Sequence, residues 1–194
     1  MTMMGFATAA IGVNSMPAEP GVKLDAKRHV RAGETALVRG RVTPAASRTV
    51  VVKVGGRKVK TVHTRDDGGF RARWRAPHAG VFTARAIVGG GEPARGGSDA
   101  VRINVYRAAS ASYYGPGLYG GSLACGGTLR PGTMGVANKS LPCGTRLTLR
   151  YGKRSVRVQV IDRGPFSGNR EFDLTAATKA RLGFPSTGTV LSTR

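Results

Sequence analysis

Residues 160–174 read Val160-Ile-Asp-Arg-Gly-Pro-Phe-Ser-Gly-Asn-Arg-Glu-Phe-Asp-Leu174. This stretch holds every carboxylate side chain between positions 107 and 194, namely Asp162, Glu171 and Asp173. The same part of the chain contains no histidine. Acid–base chemistry there must therefore use these carboxyl groups. So few acids amid an excess of Lys and Arg indicate a site rather than a solvated surface.

The 194-residue chain is strongly basic, with a formal net charge of +21 and a pI of about 11.5. Its length allows one large or two small domains, and 40% hydrophobic content supports modest cores. A charge of this size predicts polyanionic partners, and nucleic acid, anionic lipid and wall polymer all qualify. No apolar run approaches the roughly 18 residues that a membrane span needs. We therefore expect no transmembrane span in the mature chain.

The first 20 residues resemble part of an export signal. Met1–Val13 is similar to an apolar signal core, and Met16–Pro20 could follow a cleavage site. The basic segment that normally opens such a signal is absent. A truncated signal and an unstructured N-terminal tail both fit residues 1–20.

Residues 21–106 alternate apolar with polar or basic side chains, which predicts half-buried strands. The six segments are Thr35–Val42, Thr49–Val54, Arg57–His63, Gly69–Arg75, Gly80–Val88 and Ala100–Val105. Turn residues separate them, so we predict an antiparallel β-sandwich. The order Asp66-Asp-Gly-Gly-Phe70, Trp74, Gly80-Val-Phe82 is similar to bacterial immunoglobulin-like modules of surface proteins. Trp74 and Phe82 are predicted as core residues rather than a ligand platform, and the Arg and Lys face is either an anion patch or merely solvated.

The remaining residues, 107–194, predict a small closed β-barrel. Arg107–Ser112 is small and polar and is interpreted as a linker. The predicted strands are Gly135–Ala137, Thr145–Tyr151, Ser155–Ile161 and Gly188–Leu191, and one helix is predicted over Leu174–Leu182. Gly183 supplies its C-terminal stop.

Cys125 and Cys143 are the only cysteines, and both lie beside turn residues. A disulfide is favoured over a metal site, because a zinc centre needs about four ligands and the three histidines lie in the other half of the chain. Two buried free thiols are the alternative. A disulfide predicts an oxidising compartment.

Five motifs in the second half occur in one order. They are Ala111-Ser-Tyr-Tyr-Gly-Pro-Gly-Leu-Tyr-Gly120, Ala124-Cys-Gly126, Ala137-Asn-Lys-Ser-Leu-Pro-Cys-Gly-Thr145, Val158-Gln-Val-Ile-Asp-Arg-Gly-Pro-Phe166 and Phe172-Asp-Leu-Thr-Ala-Ala177. Together they resemble the rare-lipoprotein-A-like double-psi β-barrel, a family that contains septal lytic transglycosylases and is related to expansins. The predicted fold class is therefore all-β, with an N-terminal immunoglobulin-like β-sandwich and a C-terminal six-stranded double-psi β-barrel with a short helix. The paired cysteines resemble the actinobacterial branch, which implies a secreted or wall-associated protein.

The resemblance implies cleavage of peptidoglycan between N-acetylmuramic acid and N-acetylglucosamine, leaving a 1,6-anhydro end. It implies no cofactor and no metal, a monomer, and partners among peptidoglycan and anionic wall polymers. Nucleic acid is not expected, because the chain carries no recognisable nucleic-acid motif and the disulfide indicates export.

The resemblance assigns Asp173 as general acid and Asp162 as the second carboxyl group of the groove. Each has a structural alternative: Asp173 could be the helix N-cap, which would depress its pKa, and Asp162 could order a turn or pair with Arg163. Glu171 is a weaker candidate that could share a face with Asp173.

Substrate binding is predicted for Tyr113, Tyr114, Gly115, Asn138 and Arg163, although the tyrosines could equally pack beneath the first strand. Family members have an acidic residue where this chain has Gly127, and a histidine in place of Asn138. The alternative function is therefore a non-catalytic, expansin-like module that binds or loosens the wall.

Overall fold

The computed structural model describes residues 20–89 and 97–194. The signal-like segment predicted over residues 1–20 lies outside the described residues except for Pro20.

Two sheets form the N-terminal half. Their strands are β1 (Gly21–Ala26), β2 (His29–Arg31), β3 (Thr35–Thr43), β4 (Thr49–Val54), β5 (Arg57–His63), β6 (Gly69–Arg75), β7 (Gly80–Val88) and the start of β8 (Val101–Tyr114). One sheet has the order β1-β3-β6, and the other runs β5-β4-β7-β8 with β2 beside β8. All six predicted segments are strands. β1 and β2 are additional, and β2 is too short for a period of two to be recognised.

Alternation directs one set of side chains between the two sheets. In β4, for example, Val50, Val52 and Val54 are buried while their neighbours are partly exposed. They belong to a single buried cluster that extends from Val22 to Val105. Trp74 and Phe82 pack against this cluster and meet edge to face, with ring centroids 5.1 Å apart. The prediction that they are core residues is confirmed, whereas the immunoglobulin-like class of the sandwich stays a prediction.

Strand β8 runs without a break from the sandwich into the barrel. Its first half pairs with β7 and β2, and residues 107–114 pair with two barrel strands. The linker predicted at Arg107–Ser112 is therefore wrong. The small residues there do not alternate clearly between apolar and polar, as a typical strand does. Ala109 and Ala111 nevertheless face the buried core of the barrel.

The barrel closes with six strands. Besides β8 these are β9 (Val136–Asn138), β10 (Arg146–Tyr151), β11 (Arg154–Asp162), β12 (Phe172–Thr175) and β13 (Gly188–Ser192). They pair in the ring β8-β12-β9-β11-β10-β13, and β13 returns to β8. Closure leaves the barrel no unpaired edge. Its interior is filled by apolar side chains such as Leu147, Leu149, Val160, Phe172 and Leu174.

The helix α1 covers Ala176–Leu182, two residues shorter at its start than predicted. Thr175 is its N-cap and accepts a hydrogen bond from the Thr178 N–H, and Gly183 ends it with φ 64°. The N-cap alternative for Asp173 is therefore wrong, because β12 pairs with both neighbours through residues 172–174 before the helix begins. Across residues 20–89 and 97–194, no helix has the length and apolar character required to traverse a bilayer.

Candidate active site

Barrel closure brings Asp162 and Asp173 to the two sides of one short strand. Both pair in register with Ala137 of β9, Asp162 from the parallel neighbour β11 and Asp173 from the antiparallel neighbour β12. The two groups are close enough for the charge of Asp162 to raise the pKa of Asp173. We call the surface around these two carboxyl groups and Tyr114 the carboxylate groove.

A register shift aims Asp162 at this groove. Val158 and Val160 face the barrel core, and strict alternation would turn Asp162 the same way. The pairing of β11 with β9 shifts between Val160 and Asp162, and such an irregularity redirects the side chain that follows. Asp162 Oδ1 then accepts the N–H groups of Ala124 at 2.9 Å and Arg163 at 2.8 Å. Asp162 therefore does order the turn, as the alternative had it, through one of its two oxygens.

Asp173 owes its properties to partial burial. It lies between the core residues Phe172 and Leu174, so alternation directs its carboxyl group away from the core. Burial has the largest influence and raises the pKa of Asp173. The Ser112 hydroxyl, which donates to Oδ1 at 2.7 Å, and the charge of Arg170 both lower this pKa, but the net shift is upward. A carboxyl group with a raised pKa keeps its proton to higher pH, which a general acid requires.

Tyr114 completes the groove with a buried hydroxyl group. It follows Ser112 by two residues on β8 and therefore shares its face. Among the described residues its hydroxyl makes no hydrogen bond of normal geometry, although it lies close enough to the Asp162 carboxyl group to interact with it. Burial, followed by the charges of Asp162 and Asp173, raises the pKa of Tyr114. The phenol therefore keeps its proton and remains a hydrogen-bond donor.

The predicted disulfide between Cys125 and Cys143 is present, with Cα atoms 5.5 Å apart. It ties the loop that contacts Asp162 to the loop that follows β9. Arg163 braces the second loop, because its guanidinium donates to the carbonyls of Asn138 at 3.1 Å and Leu141 at 2.8 Å. Its side chain therefore pairs with this loop and not with Asp162.

Asn138 is buried, with 4% of its surface exposed. Its Nδ2 donates to the carbonyl of Glu171 at 2.9 Å, and its Oδ1 accepts the N–H groups of Ser140 and Leu141. Both acceptor sites of the amide oxygen are thus used within the protein. Asn138 thereby holds the loop beside the groove in place, and its contact with a sugar stays a prediction.

Tyr113 and Gly115 have packing roles beside the groove, and their contact with substrate stays a prediction. Tyr113 packs against the barrel core, and the Lys179 ammonium group covers its ring at 4.3 Å from the centroid. The packing alternative is therefore correct for Tyr113. A side chain at Gly115 would place Cβ 2.8 Å from Ala176 Cβ, so this glycine permits close approach of β8 to the helix.

Glu171 forms a bidentate ion pair with Arg107, whose Nη1 lies 2.7 Å from Oε2. The pair holds Glu171 away from free acid–base work. Two further residues that were not predicted, Ser112 and Arg170, act on Asp173. Position 112 was detectable in principle, since it lies two residues before Tyr114 on one strand. Arg170 was not, because a loop sets its distance from Asp173.

No group of three or more His, Cys, Asp or Glu side chains that could hold a metal occurs in the described parts of the chain. The chemistry available to the groove is that of two carboxyl groups, a phenol and a serine hydroxyl.

Comparison with known proteins places the barrel in a family. Residues 106–191 match the model of a family described as lytic transglycolase. A probable endolytic peptidoglycan transglycosylase RlpA of Synechocystis is 36% identical over 131 residues, which cover 58% of this chain and 40% of that protein. Endolytic peptidoglycan transglycosylases RlpA of Campylobacter jejuni and Pseudomonas aeruginosa are 37% and 40% identical, each across 41% of this chain and 30% and 24% of their own lengths.

The chain thus spans well under half the length of these curated relatives. Among solved structures, the CARDB domain of a Pyrococcus furiosus protein matches 45% of this chain and 92% of its own length. The sequence identity is 16% and the TM-score is 0.35. The family match coincides with the closed six-stranded barrel, and the chain therefore carries, over residues 106–191, a double-psi β-barrel domain of the lytic transglycolase family.

Proposed function

We propose that this protein is a peptidoglycan lytic transglycosylase that cleaves bonds between N-acetylmuramic acid and N-acetylglucosamine. The carrying observation is Asp173, a partly buried carboxyl group with a raised pKa beside a second carboxyl group, in a domain of the lytic transglycolase family. The proposed domain division is a sandwich over residues 21–106 and a catalytic barrel over residues 107–194. The proposed location is extracytoplasmic, in agreement with the disulfide.

Asp173 is the proposed general acid. It donates its proton to the glycosidic oxygen as the bond from that oxygen to the anomeric carbon breaks. Positive charge develops on the sugar, and the Asp162 carboxylate stabilises it. The hydroxyl on carbon 6 of the same sugar then attacks the anomeric carbon and gives its proton to a carboxylate, so no water is consumed. The product is a 1,6-anhydro end.

Tyr114 and Arg163 are proposed to support the substrate in different ways. The unpartnered hydroxyl of Tyr114 is available to donate to a sugar oxygen. Arg163 shapes the wall of the groove by holding the loop over residues 138–143. Tyr113, Gly115 and Asn138 support the barrel around the groove rather than the sugar.

A second candidate function is an expansin-like module that binds glycan without cleaving it. The observation that favours it is the absence of a titratable side chain at positions 127 and 138. Asn138 is committed to backbone hydrogen bonds, and Gly127 has φ 86°, a conformation that disfavours other residues. Neither position can contribute a second acid or base.

Digestion of purified, peptide-free glycan strands separates the two functions. The full chain is compared with Asp173→Asn and Asp162→Asn, with Glu171→Gln as the matched acid-to-amide control. We expect 1,6-anhydromuramic ends by mass spectrometry with the native chain and the control. General acid catalysis contributes about 10²- to 10⁴-fold, so Asp173→Asn should lose activity by that order. If the native chain releases no anhydro products, and if both groove variants weaken its binding to glycan, the enzyme proposal is wrong and the expansin-like binding function is supported.

A further inference from the structure

The edges of the two sandwich sheets lie side by side without pairing. β5 ends one sheet and β6 ends the other, and no ladder joins them. A groove runs between these strands, and we call it the seam groove. Three adjoining depressions lie along it, and their basic lining residues on the two strands are Arg57, Lys58, Lys60, Arg71, Arg73 and Arg75.

Cations line both walls of the seam groove, and no carboxylate lines any of the three depressions. Arg71, Arg73 and Arg75 are exposed at alternate positions, while the residues between them turn toward the core. Alternate residues of a strand are about 7 Å apart, so these guanidinium groups form an evenly spaced row. The central depression has a volume of about 900 Å³. This surface fits an extended chain with regularly spaced negative charges.

The fold tolerates charge repulsion to build this surface. Arg71 lies directly opposite Arg39 of β3, and like charges in that arrangement destabilise a sheet. Asp25 lies 4.0 Å from Arg39 and offsets part of the repulsion. Arg71, Arg73 and Arg75 form no ion pair with the described residues. A bound polyanion would relieve this repulsion.

We propose that the seam groove binds a linear phosphodiester polymer of the bacterial wall and so holds the barrel close to its glycan substrate. The choice of a wall polymer rests on the proposed function. The row consists of arginines, whose planar forks match phosphate oxygens in pairs. Nucleic acid fits less well, because single strands require a row of stacking aromatics. Trp74 and Phe82 lie at one end only and pack against each other.

Binding of the full chain to fluorescently labelled poly(glycerol phosphate) tests the proposal. The seam variant replaces Arg71, Arg73 and Arg75 with Gln. The matched control replaces Arg28, Arg85 and Arg102 with Gln. These three arginines are exposed and line none of the three depressions. We expect the seam variant to bind the polymer roughly tenfold more weakly. The slope of log affinity against log salt should become shallower by about 2, because each of the three lost phosphate contacts contributes about 0.7 to that slope. The control should change affinity less than about threefold.

Other outcomes would overturn the proposal. Equal weakening in both triple variants would mean that diffuse charge attracts the polymer. Unchanged binding with increased aggregation of the seam variant would mean that the arginines only protect open sheet edges. Tighter, seam-dependent binding to a single-stranded oligonucleotide or to anionic vesicles would replace the wall polymer as ligand. Cleavage of peptide-free glycan is measured separately: a native chain that binds the polymer but cleaves no glycan would remove the proposed enzyme and leave the seam groove standing.

Discussion

At the scale of single residues, Asp162 and Asp173 differ by their surroundings. Asp173 lies between two core side chains and loses solvent, which raises its pKa. Asp162 accepts two backbone N–H groups on one oxygen, which fixes the position of its carboxyl group. The proposed mechanism uses this difference, with Asp173 as the proton donor and Asp162 as the carboxylate that stabilises the developing positive charge.

Asp173→Asn is expected to increase stability at neutral pH. Because burial raises the pKa of Asp173 in the folded state above its ordinary value of 3.8, the folded state binds more protons than the unfolded state between the two values. The free energy of unfolding therefore falls as pH rises through the raised pKa. The amide carries no charge to desolvate and removes this dependence. Urea unfolding from pH 3.5 to pH 8 measures it.

The control for this prediction is Asp99→Asn, at an exposed position, which should leave the pH dependence of unfolding close to that of the native chain. A native chain and an Asp173→Asn variant with parallel stability curves across this pH range would contradict the raised pKa.

Ser112→Ala is expected to shift the alkaline limb of the activity profile to higher pH. The Ser112 hydroxyl donates to Asp173 and lowers its pKa; without this bond the acid form persists further. The measurement is the release of anhydro ends from glycan strands as a function of pH. Ser110→Ala is the matched control, since its hydroxyl contacts the Asn169 carbonyl instead. A shift to lower pH would contradict the assignment of Asp173 as the acid.

At the scale of elements, two loops and a strand irregularity position Asp162 in the groove. The register shift in β11 turns Asp162 out of the core. The N–H of Ala124 then fixes the carboxylate, and the neighbouring disulfide anchors that loop to the one braced by Arg163. Strand pairing alone places Asp162 and Asp173 on either side of Ala137. The loops determine where the carboxyl oxygens of Asp162 lie.

Replacing Cys125 and Cys143 together with Ser is expected to lower the free energy of unfolding by about 3 kcal/mol, because the bond closes a loop with a sequence separation of 18. Activity should fall further than the folded fraction alone explains, since the loop that binds Asp162 loses its anchor. Urea unfolding gives the first quantity and glycan cleavage per folded molecule gives the second. Cleavage that simply follows the folded fraction would show that the disulfide stabilises without positioning.

At the scale of the whole molecule, β8 joins two separate cores through one strand. Tyr106 is buried at the end of the sandwich portion and meets His29 Nδ1 at 2.8 Å. On the barrel side, Thr148 Oγ1 lies 3.5 Å from Asn104 Oδ1. The Tyr106–His29 contact lies within the sandwich, whereas the Thr148–Asn104 contact joins the two halves beyond chain connectivity.

Insertion of Gly-Gly-Ser between Tyr106 and Arg107 is expected to uncouple the halves. The native chain should unfold in one calorimetric transition, because melting either core frays the shared strand. The insertion breaks the strand and should produce two transitions. The same insertion between Gly55 and Gly56, in the turn between β4 and β5, is the control and should leave one transition. Two transitions in the native chain would show that β8 does not couple the cores.

Local patterns predicted much of this molecule. Alternation identified six sandwich strands. The predicted ends of the barrel strands β9, β10, β11 and β13 each lie within one residue of the observed ends. These signals are local because a strand with one buried face must alternate. The motif around Asp162 and Asp173 likewise indicated a site with carboxyl chemistry, and the flanking turns indicated the disulfide.

Features that depend on distant neighbours required the tertiary structure. Asp173 was open to interpretation as an N-cap until pairing of β12 with β8 and β9 delayed the helix to Ala176. Segment 107–112 was taken for a linker because its small residues become a strand only beside β13. The amino-acid sequence by itself determined the strongly alternating strands, the two cysteines that could pair and the carboxyl groups available for chemistry. Only the closed barrel decided which of those groups loses solvent, because burial and the pKa that follows from it depend on residues brought close by folding.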